Sequence, residues 1–484
     1  MEDLALLYAG NVVHALEDGT LALLEDYLLG VNKDGLIAGL LPHPGNEHIL
    51  DKASTPDSGI TLIKPKNPHA FLLPGFIDTH LHAPQYLYAG TALDVPLMEW
   101  LEKYTFRSES RIDADPHGLG KKVYERLAKR CIENGTTCAA LYGTISVEAN
   151  LVLAESFANA GVRALVGKVN MDQNSPSYYT ETTSDSLAAT TQFVTSMRDL
   201  YKNETAQHKH LVEPIITPRF LPTCSKELLQ GLAKIAREQA VDVQSHLSES
   251  GDEVAFTQSI YGEKTDSELF DEVGLLTDKS LFAHSTHVTA QDMQLLKQKG
   301  SSVSHCPLSN TYFSERPFPL REALDNDLKV GLGSDIAGGY SISLNDSMRW
   351  SVGVARSREG RRKDNMNDPF VQSRAASSES LVKKTKRLDI NWKEAIYVAT
   401  LGGARAINRS AYLGNFEVGK SFDAQLIQLQ SDEEDAQIRK GNIDLFEDSF
   451  PTGKMGLEEA VEKWWSLGSV HDRAKVWVAG RQVL

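Results

Sequence analysis

The sequence predicts an α/β protein: a (β/α)8 TIM barrel with a small β-sandwich domain built from both chain ends. Three observations carry that prediction. Eight apolar, strand-like runs alternate with helical stretches between about residues 71 and 340, the pattern of βα units around a parallel sheet. Both ends show short apolar runs broken by Gly, Asn and Pro, which is hairpin chemistry. A chain of 484 residues, 41% hydrophobic and 24% charged, is too long for one ordinary compact domain unless that domain is a barrel.

Residues 1–72, with LALLYAGNVVHAL and DYLLGVNKDGLIAGLL, are read as the N-terminal part of the sandwich, and 411–484, ending in AKVWVAGRQVL, as its C-terminal part. Between them, 73–410 form the barrel. Its strands are FLLPGFIDTH, GTTCAALYG, VRALVGKVN, VEPIITPRF, VDVQSHLSES, LFAHSTHV, SVSHCPLSN and VGLGSDIAGG. An amphipathic segment around LMEWLEKYTF follows the first, and a helix from about Pro116 to Asn134 stops at Gly135. An open doubly wound sheet is disfavoured, because no strand leads into a Gly-x-Gly-x-x-Gly phosphate loop. Residues 357–388 turn polar and are read as a solvated insertion after the eighth strand. The stretches SDEEDAQIRKGNIDLFEDS and WSLGSVHD are read as surface loops and a short helix.

A net charge of −15 argues against nucleic acid or an anionic membrane as partner and favours a small neutral substrate. Four cysteines without a Cys-x-x-Cys pair suit a reducing compartment. The start carries Glu2 and Asp3 instead of a basic leader, and no apolar run of about 18 residues occurs. A soluble, cytoplasmic protein is expected.

Barrel active sites lie where the strands end, and chemistry-bearing residues collect there. A strand alternates faces, so His80 and His82 project to one side of the first strand. The fifth gives His246, the sixth His284 and the eighth Asp335. Histidines and a carboxylate suit a borderline divalent cation, zinc first and iron(II) second, with one position left for water. Glu249 lies three residues past His246, within reach of a substrate held beside the metal.

FIDTHLHAPQ, HLSE, the histidine after LFA, HCPLSN and GLGSDIAGG together resemble the amidohydrolase superfamily. PQYLYAG, EWLEKYTF, the PRF of ITPRF and SDIAGGYS narrow the resemblance to its guanine deaminase family. The resemblance implies one zinc per subunit, held by His80, His82, His246 and Asp335, with iron(II) the less favoured metal. Asp335 would take the proton of the attacking water, which His284 would orient, although the sequence leaves His284 open as ligand or outer residue. Glu249 would protonate a ring nitrogen and serve as the acid. Gln85, Arg219 and Phe220, with His246 and Asp335, would meet the purine, Arg219 donating to its carbonyl. Trp100 and Tyr104 either wall the pocket or pack in the core. Lys168 is read as structural, and strand four ends in Arg219-Phe220 without the carboxylated lysine of two-metal relatives. His305 and Asn310 are placed in the surrounding shell, and His287 is given no role. Another aminated heterocycle, such as a pterin, triazine or cytosine, is the alternative substrate, and a non-catalytic scaffold the alternative class. A homodimer is expected of such a family member.

Overall fold

The computed structural model describes residues 3–202, 211–314, 316–363, 387–429, 443–445, 451, 453 and 455–484. Five strands open the chain: β1 (Leu4–Ala15), β2 (Leu21–Asn32), β3 (Ile37–Pro42), β4 (Thr61–Ile63) and β5 (Phe71–Pro74). The middle contributes β6 (Phe76–His82), β7 (Thr136–Tyr142), β8 (Arg163–Gly167), β9 (Val169–Asn170), β10 (Val212–Pro214) and β11 (Thr217–Pro218). It continues with β12 (Val243–Leu247), β13 (Ser280–His284), β14 (Ser302–His305) and β15 (Lys329–Leu332). The C-terminal part adds β16 (Ala424–Ile427), β17 (Arg473–Val478) and β18 (Arg481–Gln482).

The two ends share one hydrogen-bonded sheet, in the order β18-β17-β16-β5-β1-β2-β3 with β4 on β1. The long β1–β2 hairpin buries its faces alternately. Leu6 and Tyr8 join Leu29, Phe422 and Trp477 in one apolar cluster, while Leu7 and Ala9 join Leu28 in another.

The barrel sheet runs β10-β8-β7-β6-β15-β14-β13-β12, every pair parallel. Its two ends are brought together by a parallel bridge between Ile216 and Val243 and by the Gln244 and His246 amides donating to the Ile216 and Arg219 carbonyls. The strands are buried on both faces, which is why they read as apolar runs with little alternation. Helices cover the outside: Ser146, Thr182, Ser225 and Ser250 each accept a first-turn backbone N–H, and Thr265 and Thr289 form capping boxes with Glu268 and Asp292.

Three details depart from the sequence reading. The first run divides at Gly75, where β5 belongs to the terminal sheet and β6 to the barrel; a Cβ there would lie 2.1 Å from Thr137 Oγ1, so only glycine fits the crossing. The third and fourth runs each split, into β8 and β9 and into β10 and β11, and β9 pairs with β11 in a separate two-stranded ladder. The polar stretch after Ser357 begins as the last turns of a helix, Leu344–Lys363, held by a buried two-point contact of Arg358 with Glu322 (3.0 and 2.8 Å); residues 364–386 of that stretch lie outside the described residues. The WSLGSVHD stretch lies at the surface as read, ending the helix Leu457–Leu467 with Leu467 and Val470 exposed, while Trp464 just before it is buried against Phe71 and Phe76. Most of SDEEDAQIRKGNIDLFEDS lies outside the described residues.

The terminal sheet meets the barrel at the start of β8, away from the strand ends. There the Arg163 guanidinium donates to Asp423 (2.7 and 3.2 Å) and to Ser421 Oγ (2.9 Å), all buried. Removing one partner strands a buried charge, so Asp423→Ala is expected to lower the unfolding free energy by about 3–5 kcal/mol in urea denaturation. Among the described residues no helix is long and apolar enough to cross a membrane.

Candidate active site

The ends of β6, β12, β13 and β15 bring the histidines and Asp335 together, buried at the mouth of the barrel. His82 Nε2 lies 3.1 Å from His246 Nε2, and His80 Nε2 lies 3.1 Å from Asp335 Oδ1, with His82 Nε2 3.7 Å from the same oxygen. Zinc–nitrogen bonds of about 2.0–2.1 Å place tetrahedral ligand atoms roughly 3.3 Å apart, so this spacing fits four donors around one ion. The protonation states fit as well. Burial, and the neighbouring rings or the Arg219 cation, hold all three imidazoles well below their usual pKa, keeping them neutral. His246 Nδ1–H donates to the Arg219 carbonyl at 2.6 Å, which turns the Nε2 lone pair toward the cluster. His80 Nε2 is buried without a hydrogen-bond partner, the condition of a ligand atom.

Cys306 also approaches His80 and His284. Among the described residues it groups with those two rings only, whereas Asp335 Oδ1 reaches both His80 and His82, which makes Asp335 the better fourth donor. The backbone of Asp335 is left-handed (φ 48°), and a Cβ on Gly338 would fall 3.0 Å from its Oδ2. Glycine at 338 gives that carboxylate its room. Lys168 donates to both oxygens of Glu181 (2.9 and 2.8 Å) and is held away from a metal role.

His284 also has left-handed backbone (φ 67°), a strained conformation for a bulky residue. Its Nδ1–H donates to Asn310 Oδ1 at 2.9 Å, so Nε2 faces Glu249 Oε2 (3.5 Å) and Asp335 Oδ2 (3.8 Å). This geometry places His284 between two carboxylates and gives Asn310 its contact in the outer shell. Burial drives the Glu249 carboxyl well above the ordinary carboxylate range, and Asp335 beside it adds to the shift, which favours the protonated form. Its backbone is pinned: its N–H donates to Glu253 (2.6 Å), and its carbonyl accepts from Thr286 and Ser314.

Opposite these groups a cavity opens, lined by His82, His246, Glu249, His284 and Asp335 on one side. Gln85, Arg219, Phe220 and Trp100 line the rest, with Leu97, Leu101, Phe313 and Gly338. Every residue given a metal, catalytic or substrate role in the sequence except His80 thus borders the cavity, and His80 is buried beside Asp335. Trp100 packs on Phe313 at the rim, while Tyr104 packs against Tyr88 and does not line the cavity. His305 packs on Phe318, outside the lining residues.

Sequence reasoning missed Glu109. The amphipathic segment at LMEWLEKYTF continues helically to Ala114, and its buried face carries Thr105, Phe106, Ser108, Glu109 and Ile112. An acid on the apolar face of that helix was the available signal. Leu97, Leu101 and Phe313 were missed because apolar residues of this kind look the same in a core.

The amidohydrolase family model matches residues 71–483. The chain is 35% identical over 484 residues to guanine deaminase of Rattus norvegicus, covering 100% of this chain and 97% of that protein. It is 30% identical over 355 residues to guanine deaminase of Escherichia coli (strain K12), covering 73% and 72%. Among solved structures, guanine deaminase from C. acetobutylicum with bound guanine in the active site matches with a TM-score of 0.79 at 30% identity, over 99% of each chain. The strand-end histidines, the barrel that presents them and these likenesses agree: the chain belongs to the amidohydrolase family.

Proposed function

We propose that the protein hydrolyses guanine to xanthine and ammonia. The observation that carries this reading is a cavity in which His82, His246 and Asp335 face Glu249 while Arg219 and Gln85 edge the remaining space. His80, His82, His246 and Asp335 would hold one zinc ion, with iron(II) second; when bound, the ion lowers the pKa of a water toward neutrality.

The chain's own groups then move the protons. Asp335 accepts one proton from the attacking water, which His284 orients through Nε2. Glu249 gives its proton to N3 of the purine, making C2 electrophilic as the water oxygen bonds to it. Asp335 passes its proton to the exocyclic amine, and the C2–N bond breaks as ammonia leaves. The hydroxyl proton left on C2 returns to Glu249 as the C2 carbonyl forms, restoring both acids. Arg219 donates to the 6-carbonyl, Gln85 offers an amide donor and acceptor, and the Phe220 ring closes the cavity wall. The structures of guanine deaminases that this chain resembles over nearly its full length, one of them with bound guanine, support this assignment.

We also propose a cytoplasmic homodimer serving purine breakdown, with no nucleic-acid or membrane partner; the net charge of −15 supports the last point. The test of the substrate is a panel of guanine, adenine, cytosine and a pterin, followed by ammonia release and absorbance. Turnover of guanine alone is expected. Turnover of a different heterocycle in its place would keep the site and overturn the roles of Arg219 and Gln85.

A further inference from the structure

We infer that Glu109 is a positioning residue which sets both readers of the purine edge at once, and through them the preference for a 6-oxo purine. Its carboxylate is fully buried one layer behind the cavity. Oε2 accepts from Arg219 Nη1 (2.8 Å) and from the Tyr179 hydroxyl (2.9 Å), and Oε1 accepts from Arg219 Nη2 (3.0 Å). The Gln85 amide nitrogen donates to the same Oε1 at 3.4 Å.

Two consequences follow from the geometry. The fork between Glu109 and Arg219 fixes the plane of the guanidinium and occupies two of its five N–H donors, leaving the others for a carbonyl in the cavity. The amide of Gln85 is fixed in sense as well: its NH2 turns to Glu109 while its oxygen accepts from Ala337 N–H at 3.5 Å. One carboxylate therefore decides which way each reader points.

Charge gives a second reason for an acid here. Arg219 is a buried cation whose carbonyl holds His246, and an unpaired positive charge beside a cation site would oppose the metal. Glu109 neutralises it. A merely structural ion pair would not need to reach Gln85, and Glu109 does.

This inference rests on the guanine reading, so the wild-type protein is first shown to release ammonia from guanine; a wild type that does not do so defeats that reading before any variant is compared. Glu109→Gln keeps the shape and removes the charge. Charge-assisted hydrogen bonds contribute enough that KM for guanine is expected to rise about 10-fold or more, with kcat changed by less than roughly 3-fold. For 2-aminopurine, which has no 6-carbonyl, kcat/KM is expected to fall at least about tenfold less than for guanine. Glu109→Asp keeps the charge on a shorter stem and is expected to fall between the two, which retains the test if the glutamine variant does not fold. Equal losses on guanine and 2-aminopurine, or a loss that tracks zinc content, would overturn the inference and leave Glu109 a structural residue.

Discussion

Glu249→Gln is expected to lower kcat for guanine by about 100- to 10,000-fold, the range that a positioned general acid contributes. The amide keeps the size of the side chain and the backbone contacts to Glu253, Thr286 and Ser314, so zinc content and thermal stability should stay at wild-type values. The direction follows from burial. A carboxyl driven well above its ordinary range beside Asp335 favours the form with a proton to give, and glutamine has none. Stopped-flow absorbance at saturating guanine, with metal analysis of the same sample, separates the acid from the metal site. A Glu249→Gln protein retaining more than about a tenth of wild-type kcat would contradict the assigned role.

His246→Ala is expected to be as damaging by a different route. His246 holds two parts of the site together: Nε2 meets His82 Nε2 at 3.1 Å, and Nδ1 is tied to the Arg219 carbonyl at 2.6 Å. Its loss would remove one of the four proposed ligands and free the strand end that carries Arg219. Zinc affinity should fall by more than the roughly 10- to 100-fold that changes outside the ligand set produce, and guanine turnover should fall with it. Competition of wild type and variant for zinc against a coloured chelator measures the first; ammonia release at saturating zinc measures what remains. Full zinc occupancy with full activity would remove His246 from the ligand set.

The strand ends were legible in the sequence because two regularities coincide there. Period-two geometry puts His80 and His82 on one side, and β12, β13 and β15 each deliver a polar residue as the apolar run stops. The terminal sheet was legible in character, since hairpin-type runs at both ends had no other partner, but its junction was not. Gly75 marks the crossing only because Thr137 from a distant strand crowds it, which is a contact that no local pattern records. The reach of the Leu344–Lys363 helix was hidden for a similar reason: Arg358 and Glu322 look solvated until folding pairs them out of water. Glu109 is the functional counterpart of Arg358. Glu109, one of two acids in RSESRID, is marked in the sequence only by its place on the apolar face, and the distant Arg219, Gln85 and Tyr179 give it a purpose.

The central claim is hydrolysis of guanine that depends on one metal ion among His80, His82, His246 and Asp335. Its most direct test is to strip the purified protein with chelator, add zinc back in measured steps, and follow ammonia release from guanine at each step. Activity is predicted to be absent from the stripped protein and to rise linearly to a plateau at one zinc per chain. Guanine turnover at the same rate without metal, or a fully zinc-loaded protein that releases no ammonia, would contradict the account.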